Sequence, residues 1–446
     1  MSALARFFRS LGKAVAGYDR TSTPLTRTLE SEGINIHYED NPDLIPLAMR
    51  RHPYEPETLI IYTPAIPKDM QELQFLNENG YKLHKRSEIL GLITRSYDSL
   101  AVAGTHGKSS VTAMTTQILI ESGAGCTAFL GAISKSLKSN LSLSDSSPFA
   151  VVEADEFDRS FLQLDPYIAC VTSMDADHLD IYGDYDNLVK GFTEFINRVR
   201  NKSSLIIKKG LPLQPDPSRN LTVYTYSLDD PDSDFHARDI RQSGLGYTFD
   251  IVTPQGTLAN IVTKVPGITN VENAVAAAAL TTLAGVGAEG IFSGLWAFEG
   301  IVRRFDIRFN RSGVVYVDDY AHHPNEIKAV IESLRLLFPG KKLTGIFQPH
   351  LYTRTRDFAD AFGESLSKLD ELLLLDLYPA RENPIQGVDS QLILDRVTGI
   401  PKQLCSRKDL PGLLDGRQLE ILLTMGAGDI DQLCEPIIKF LDEHVA

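Results

Sequence analysis

The chain has 446 residues, which is too long for one hydrophobic core and predicts two or three domains. Its 58 acidic residues outnumber its 44 basic residues, and the resulting formal net charge of −14 argues against nucleic acid as the main partner. The four cysteines lack the C-x-x-C spacing of a zinc site. No apolar run approaches the roughly 20 residues that span a bilayer. We therefore expect no membrane insertion and no secretion, and buried free thiols in a reducing cytoplasm.

Apolar runs of strand length alternate with helix-period segments, which predicts α/β domains built on mostly parallel sheets. The pattern divides into three predicted domains at residues 1–98, 99–303 and 304–446. The strand-length apolar runs lie at 14–17 and 59–62 in the first, at 100–102, 149–152, 167–172 and 205–207 in the second, and at 314–317, 343–347, 372–375 and 421–423 in the third.

Four other segments complete this outline. Residues 211–266 are rich in Pro, Asp, Ser and Gly and predict short strands and turns, whereas the alanine-rich residues 271–283 predict a helix. Pro324 is typical of a first helical position. The glycine loop Met425-Gly426-Ala427-Gly428-Asp429 follows a strand, at the carboxyl end where α/β sheets bind ligands.

The most informative run is AGTHGKSS, residues 103–110, between an apolar strand and a helix-like pattern. This arrangement directs free backbone N–H groups and the positive end of a helix at one point, as in phosphate-binding loops. Lys108 would then contact the β- and γ-phosphates, and the Ser109 hydroxyl would contact a magnesium ion. The first glycine of the usual P-loop spacing would fall at Val102, so an ordinary glycine-rich turn is the alternative.

Two acidic segments follow predicted strands. In the first, Glu153 is the preferred magnesium ligand, because Mg²⁺ takes one or two carboxylates together with phosphate oxygens and waters. Glu156 of the same segment is interpreted as part of a solvated acidic turn. In the second segment His178 lies among aspartates, which favours a metal or phosphate role over a purely structural one.

Polar residues also cluster after two strands of the third block. Asp319, Tyr320 and His322 stand at a strand-to-helix junction, and His350 and Arg354 follow the next strand. Arginine binds carboxylates with two parallel hydrogen bonds, so Arg354 is a candidate for holding an acidic substrate. A solvated basic face is the alternative for the neighbouring Arg356.

Five motifs in this order resemble the Mur ligases of peptidoglycan synthesis. They are GTHGKSS, EADEFDRSFL, DADHLDIYGD, the pair GIVRRFD and DDYAHHPNE, and FQPHLYTRTRDF. The resemblance extends over nearly the whole chain. It implies an α/β fold of three domains: a Rossmann-like N-terminal domain that binds UDP and lacks its beginning, a central P-loop-type ATPase domain, and a Rossmann-like C-terminal domain that closes over the nucleotide.

The resemblance also implies individual roles. The nucleotide-binding residues would be Gly104, Thr105, His106, Gly107, Lys108, Ser109, Ser110, Asn270, Asn273, Arg304 and Asp319. The metal-binding residues would be Ser109, Glu153 and His178. The residues for the UDP-linked substrate and the amino acid would be Asp19, Thr63, Ala65, His106, Tyr320, His322, His350 and Arg354, and the catalytic set would be Lys108, His178, His350 and Arg354.

The implied reaction uses ATP and Mg²⁺ to join L-alanine to the carboxylate of UDP-N-acetylmuramate in the cytoplasm. The carboxylate attacks the γ-phosphate, and the alanine amine then displaces phosphate from the acyl phosphate. Both steps develop charge on oxygen, which Lys108, magnesium and arginine would stabilise. His350 or His322 would accept the proton of the amine. The enzyme would be a monomer or a homodimer.

The chain departs from the family pattern at three internal positions. Thr269 precedes Asn270 where the family usually has histidine, and Leu351 stands where an arginine often follows the QPH histidine. Thr193 occupies the position at which several related ligases carry a lysine modified by carbon dioxide, so no carbamylated lysine is expected.

The start of the chain also differs, since the family's first strand and its G-x-G-G-x-G loop do not precede Met1. We interpret this as a start assigned too late or as a truncation, which would leave UDP binding to Asp19, Thr63, Ala65 and His106. Three other functions stay open: a ligase that recycles a tripeptide, a catalytically dead nucleotide-sugar sensor, and a P-loop ATPase that performs mechanical work.

Overall fold

A computed structural model describes residues 1–50, 58–64, 66–67, 69–175, 182–380 and 382–444. The chain divides into two compact units. The first unit comprises residues 1–241, 248–263 and 269–299, and the second comprises residues 242–247, 264–268 and 300–446.

The described helices are short to medium in length. They are α1 (Ser2–Ser10), α2 (Pro24–Ser31), α3 (Leu47–Arg50), α4 (Gln71–Glu78), α5 (Arg86–Thr94), α6 (Lys108–Glu121), α7 (Tyr185–Ile196), α8 (Ile268–Leu283), α9 (Ala288–Ala297), α10 (Pro324–Leu337), α11 (Tyr352–Asp357), α12 (Ala359–Leu366), α13 (Ser390–Leu394), α14 (Leu410–Leu414) and α15 (Cys434–His444). Turns of 3₁₀-helix lie at Pro42–Leu44, Phe157–Gln163, Pro217–Arg219 and Asp429–Leu433.

The described strands form four sheets. They are β1 (Ala16–Tyr18), β2 (Asn35–His37), β3 (Ile60–Tyr62), β4 (Leu83–Lys85), β5 (Asp98–Ala103), β6 (Thr127–Ser134), β7 (Ser139–Ser142), β8 (Phe149–Ala154), β9 (Ile168–Val171), β10 (Ser204–Lys208), β11 (Thr222–Ser227), β12 (Phe235–Ser243), β13 (Gly246–Thr253), β14 (Gly256–Thr263), β15 (Asp306–Arg311), β16 (Val314–Asp319), β17 (Leu343–Phe347), β18 (Glu371–Leu375), β19 (Lys402–Cys405) and β20 (Ile421–Met425).

The largest described sheet has the strand order β14-β13-β12-β11-β10-β9-β5-β8-β6-β7. Strands β6, β8, β5, β9, β10, β11 and β12 pair in parallel, and β7 is antiparallel at the edge. The middle of β5 is fully buried and reads as a continuous apolar run, as expected of a parallel strand covered on both faces. The carboxyl ends of β5, β8 and β9 therefore meet at one edge, immediately before the predicted phosphate loop and the two acidic segments.

The predicted strands and helices of this region are largely confirmed. The turn-rich segment 211–266 contains β11 to β14, and the alanine-rich helix begins at Ile268, three residues earlier than predicted. Gly267, which immediately precedes this helix, takes a φ of +90° that favours glycine.

The first 98 residues form two small sheets in the part of the chain that the structure describes. Strands β1 and β2 pair in parallel, and so do β3 and β4. The strand predicted at 14–17 lies at Ala16–Tyr18. Helix α1 packs near the edge of the large sheet, where the rings of Phe7 and Phe129 have centroids 5.4 Å apart. The core of this region is therefore shared with the large sheet.

The second unit is built on a sheet of order β15-β16-β20-β17-β18-β19. All pairs are parallel except β15 with β16. Strands β16, β17, β18 and β20 are buried throughout and confirm the predicted apolar runs. Helix α10 begins at Pro324, as predicted.

Among the described residues, every helix is too short or too polar to cross a membrane.

Candidate active site

The phosphate loop connects the end of β5 to the first residue of α6. Gly104 and Gly107 both take left-handed backbone angles, with φ of +139° and +83°. A Cβ atom at Gly104 would overlap the Thr172 hydroxyl, and one at Gly107 would lie 3.0 Å from Asn273 Oδ1. Both positions therefore require glycine, which leaves the backbone of the loop open toward a ligand.

The segment after β9 fixes the shape of the loop. The Thr172 hydroxyl donates to the carbonyl oxygens of Ala103 and His106, at 3.1 and 2.5 Å. The backbone N–H of His106 donates to Ser173 Oγ at 2.7 Å. The Thr105 hydroxyl accepts a bond of 3.0 Å from the backbone N–H of Asp175. The loop is thus held in its conformation by side chains of a neighbouring strand end.

Lys108 lies at the base of this loop with its ammonium group among oxygens. Its Nζ donates to the Gly104 carbonyl at 2.6 Å and to both carboxylate oxygens of Glu156 at 2.9 and 2.8 Å. Burial alone would lower the pKa of Lys108, but the negative charges of Glu156 and Asp155 outweigh it and raise that pKa. The lysine is therefore charged, as a phosphate-binding residue must be.

The interpretation of Glu156 as part of a solvated turn is wrong. Its side chain is fully buried and pairs with Lys108. The sequence around it reads as a polar acidic turn, and the lysine that compensates its charge lies 48 residues earlier, so no local signal revealed the contact.

Glu153 occupies the position predicted for a magnesium ligand. Its Oε1 accepts from the Gly131 N–H at 2.7 Å, and its Oε2 accepts from the Ser109 hydroxyl at 3.1 Å. Burial raises the pKa of Glu153, although Gly131 and Lys108 act in the opposite direction. Carboxylate and hydroxyl oxygens so close together are the hard donors that Mg²⁺ prefers.

Few side chains are available as metal ligands here. Among the described residues, no group of three or more His, Cys, Asp or Glu side chains is placed to hold a metal. A small set suits Mg²⁺, which keeps waters and takes phosphate oxygens. His178, the other predicted ligand, and Ala65, a predicted substrate contact, lie outside the described residues. Ser109 and Glu153 therefore fit a magnesium ion that takes its other ligands from waters and phosphate oxygens.

The predicted adenine contacts lie on α8. The Asn273 side-chain amide donates to Asn270 Oδ1 at 3.1 Å. Asn273 also lies beside the phosphate loop, since its Oδ1 would be 3.0 Å from a Cβ atom at Gly107. The structure therefore brings both asparagines to the loop, whereas Ser110 lies in the first turn of α6.

The second unit presents its own polar cluster at the end of β16. The Asp319 carboxylate accepts from the backbone N–H groups of Phe305 and Ala321 at 2.6 and 2.7 Å. Burial raises the pKa of Asp319 to about 6 despite these bonds and the charge of Arg304. The Arg304 guanidinium lies 5.0 Å from the centre of the Tyr320 ring, and 3.7 Å from the Glu326 carboxylate.

His322 and His350 lie together in this cluster, with ring centroids 6.1 Å apart. The Glu326 carboxylate accepts from the His322 backbone N–H at 3.0 Å, and His322 Nδ1 lies 2.9 Å from the Tyr320 carbonyl. Burial lowers the pKa of His322 to about 4, against the raising effect of Glu326. His322 is therefore a neutral imidazole at neutral pH.

The predicted amino-acid contacts that follow β17, His350 and Arg354, also have defined surroundings. The His350 ring stacks on Tyr378 with centroids 5.9 Å apart, and the Leu351 N–H donates to the Tyr378 carbonyl at 3.0 Å. Leu351 takes a φ of +70°, an unusual angle for a leucine at the start of a helix. Arg354 is buried, whereas Arg356 is exposed and pairs with Asp357, as its solvated alternative predicted.

Sequence reasoning missed Tyr378 and Gln348. The Gln348 side chain donates to Asp429 Oδ1 at 2.8 Å and accepts from the Ile430 N–H at 3.0 Å, so it ties the FQPH segment to the glycine loop. Gln348 lies within a quoted motif, which was the available signal. Tyr378 follows β18 in a loop without a motif, and only the fold places it.

The predicted UDP contacts lie on separate segments of the chain. Asp19 is exposed and accepts a bond of 3.1 Å from the Thr21 N–H. Thr63 directly follows β3 and is partly buried. His106 Nε2 lies 3.2 Å from an Asp175 carboxylate oxygen. Their roles toward UDP stay predictions.

Comparison with known proteins gives consistent matches along the chain. Residues 1–98 match the family model of the Mur ligase family, catalytic domain, residues 102–281 match the Mur ligase middle domain, and residues 303–428 match the Mur ligase, glutamate ligase domain. The chain belongs to the Mur ligase family.

Individual relatives agree with this family. The chain is 48% identical over 445 residues to a UDP-N-acetylmuramate–L-alanine ligase of Phocaeicola vulgatus, covering 99% of this chain and 96% of the relative. A ligase of the same name from Porphyromonas gingivalis is 46% identical with the same coverage.

Among solved structures, the UDP-N-acetylmuramate–alanine ligase of Thermotoga maritima matches with a TM-score of 0.82 and 24% identity over 99% of this chain and 96% of that one. A murein peptide ligase of Psychrobacter arcticus matches with a TM-score of 0.72 and 20% identity over 100% and 97%. These two likenesses concern the fold. The predicted three-domain α/β fold with a mostly parallel central sheet is confirmed.

Proposed function

We propose that this chain is an ATP-dependent ligase that joins L-alanine to the carboxylate of UDP-N-acetylmuramate in peptidoglycan precursor synthesis. The observation that carries the proposal is the 48% identity to a ligase of that name over 99% of the chain. The charged Lys108 at the base of a preformed phosphate loop supplies the chemistry that such a ligase needs.

The phosphate loop would hold the nucleotide. The backbone N–H groups of residues 104–110 and the N-terminus of α6 attract the phosphates, and Lys108 balances their charge. Asn270 and Asn273 lie beside the loop as contacts for adenine, and Arg304 and Asp319 are the proposed ATP contacts of the second unit.

Ser109 and Glu153 would hold a magnesium ion, with His178 as a further proposed ligand. Once bound, the ion would supply positive charge for the phosphoryl oxygens. Because Glu153 is partly buried and hydrogen-bonded at both oxygens, its carboxylate is already oriented before the ion arrives.

In the first chemical step the muramate carboxylate attacks the γ-phosphorus and ADP leaves, which gives an acyl phosphate. In the second step the neutral amine of L-alanine attacks the acyl carbon, and inorganic phosphate leaves as the amide forms. Lys108 would stabilise the charge that develops on phosphoryl oxygen in the first step. Preorganised charge of this kind is effective because burial keeps it from being screened.

The second unit would serve the amino acid. His322 or His350 would accept the proton of the amine. The His322 imidazole is neutral at neutral pH, as an acceptor must be, but its lowered pKa makes it a weak base. Arg354 would hold the alanine carboxylate with two parallel hydrogen bonds. Tyr320 would complete the contacts to the amino acid, while Asp19, Thr63, Ala65 and His106 would contact the UDP-linked substrate.

We further propose that the enzyme acts in the cytoplasm, as a monomer or a homodimer, with domain boundaries near residues 98 and 303. The acidic net charge supports an enzyme of small molecules that does not bind nucleic acid.

Phosphate release with ATP, Mg²⁺ and UDP-N-acetylmuramate tests the proposal. Three reactions are compared: no amino acid, L-alanine, and the tripeptide L-alanyl-γ-D-glutamyl-meso-diaminopimelate. We expect release only with L-alanine, accompanied by one amide product per phosphate. Phosphate release with the tripeptide but not with L-alanine would assign the recycling reaction. No release in any of the three reactions would favour a catalytically dead sensor.

A further inference from the structure

Glu156 has no role in the reaction as described so far, yet its carboxylate is the main partner of the phosphate-loop lysine. Both of its oxygens accept from Lys108 Nζ, at 2.9 and 2.8 Å, and its side chain is fully buried. Burying a carboxylate is costly unless its charge is compensated. A fully buried acid in this position therefore calls for an explanation.

The backbone directly after Glu156 makes a turn that contains two left-handed residues. Asp158 and Arg159 both take a φ of +53°, a left-handed conformation that is unfavourable for residues with a Cβ atom. Two backbone bonds close this turn, from Arg159 N to the Glu156 carbonyl at 3.0 Å and from Phe161 N to the Asp155 carbonyl at 2.8 Å. Such strain persists only where the surroundings hold it, and it clusters at functional sites.

Other elements supply that support. Lys85, at the end of β4, donates to an Asp158 carboxylate oxygen at 2.7 Å. The Tyr182 hydroxyl donates to the Glu156 backbone carbonyl at 2.8 Å, and the Arg159 guanidinium lies 5.5 Å from the Tyr182 ring centre. The turn is therefore fixed from two sides, and the Glu156 carboxylate is fixed with it.

The Lys108 ammonium has three N–H groups, and in this structure they face three oxygens. One is the Gly104 carbonyl, and two belong to Glu156. A phosphate oxygen can take one N–H from the carboxylate while the lysine stays bound to the other Glu156 oxygen and to Gly104. We propose that Glu156 is a positioning residue, which holds the Lys108 ammonium against the phosphate loop so that it is in place when the nucleotide binds.

This role predicts what losing the carboxylate does. A neutral amide binds an ammonium group much more weakly than a carboxylate does. Without Glu156, the flexible lysine side chain would have to be ordered at the moment of nucleotide binding, and that cost appears as lost affinity. The proposal deepens the proposed function, since it requires that this loop bind ATP.

The test is the affinity of the full-length protein for ATP and Mg²⁺, measured by titration calorimetry without the other substrates. E156Q is expected to raise the dissociation constant about tenfold, which is the scale of one charge-assisted hydrogen bond. In turnover, the KM for ATP should rise by a similar factor while the KM values of the other two substrates stay within about twofold. E121Q is the matched control, because Glu121 is an exposed residue at the far end of the same helix.

A second pair of proteins separates positioning from a general structural effect. If Glu156 acts through Lys108, then E156Q causes no further loss of ATP affinity in the K108M background. An E156Q protein with unchanged or tighter ATP binding would overturn the proposal, because the carboxylate would then be irrelevant to the phosphates or in competition with them. An E156Q effect that persists undiminished in the K108M background would overturn it as well.

K85M covers the case in which E156Q does not fold. The side chains of Lys85 and Asp158 are each about one-third exposed, and the bond between them supports the turn from its solvent side. Its loss should weaken ATP binding about twofold to threefold, and unchanged binding would contradict the positioning role.

The two proposals can fail independently. If ATP binding depends on Glu156 but L-alanine gives no turnover, the proposed function fails and the positioning role stands. If L-alanine gives turnover but ATP binding does not depend on Glu156, only the positioning role is rejected.

Discussion

Lys108 and Glu156 form an ion pair in which the acid has no exposure and the base very little. Replacing Lys108 by methionine should lower the free energy of unfolding by about 3 kcal/mol, because it removes the positive charge that compensates a buried carboxylate. Urea unfolding monitored by circular dichroism measures this change.

The double variant K108M/E156Q should recover part of that loss, since neither charge then remains buried. K190M is a suitable control, because Lys190 is exposed on α7 and its replacement should change stability by no more than about 0.5 kcal/mol. Equal losses in K108M and K190M would show that the ion pair does not contribute to stability.

His322 gives the second unit a dependence on pH whose sign follows from its lowered pKa. Burial lowers the pKa from 6.5 to about 4, so between these values the unfolded chain binds more protons than the folded one. Stability should therefore be highest above pH 6.5 and should fall as the pH decreases toward 4.

The variant H322N tests this contribution. It should lose less stability than the parent protein between pH 6.5 and 4, by up to about 3 kcal/mol. Asp319 acts in the opposite direction in the same range, since its pKa is raised to about 6, and D319N should make acid destabilisation steeper. Parallel stability curves for the parent and H322N would contradict the assignment of a neutral, partly buried imidazole.

At the scale of elements, the phosphate loop depends on glycine for two separate reasons. G104A combines an unfavourable φ of +139° with an overlap between the new Cβ atom and the Thr172 hydroxyl. It should destabilise the protein by about 2 kcal/mol or more and abolish ATP binding, because the loop must change shape. Thermal unfolding and calorimetric titration measure the two effects.

G123A is the matched control for this prediction. Gly123 follows α6 with a φ of +79°, but a Cβ atom there meets nothing within 4 Å. Its replacement should cost about 1 kcal/mol of strain and leave ATP binding unchanged. Loss of ATP binding in both variants would mean that strain alone, and not the shape of the loop, explains the effect.

The same elements show which features the sequence could reveal. The phosphate loop was predictable because its glycines, lysine and following helix are contiguous in the chain. The burial of Glu156 was not predictable, because its partner Lys108 lies 48 residues earlier in the chain. Tyr378 was equally hidden, since its contact with His350 depends on the pairing of distant strands. Each of the four strands near the start has only three residues. The apolar runs predicted β1 and β3, but β2 and β4 are too short and too polar to show a periodic pattern.

At the scale of the whole molecule, an acidic protein is proposed to bind substrates that are themselves anionic. The net charge of −14 is compensated locally, by Lys108 and the loop in the first unit and by Arg303 and Arg304 beside Tyr320 in the second. Three carboxylates at residues 153–156 act on Lys108, so the proposed nucleotide site still lacks positive charge. A divalent cation would supply it.

Nucleotide binding should therefore stabilise the protein much more in the presence of magnesium than in its absence. With a non-hydrolysable ATP analogue at 100 times its dissociation constant, the free energy of unfolding should rise by about 2.7 kcal/mol. Chelating the metal should remove most of this gain, because the triphosphate would then face the carboxylates with Lys108 as their main counter-charge. In E153Q one of these negative charges is absent, so the gain that remains without metal should be larger than in the parent protein. Thermal unfolding with and without chelator measures both quantities, and an equal gain under the two conditions would show that the acids of this segment do not bind a metal for the nucleotide.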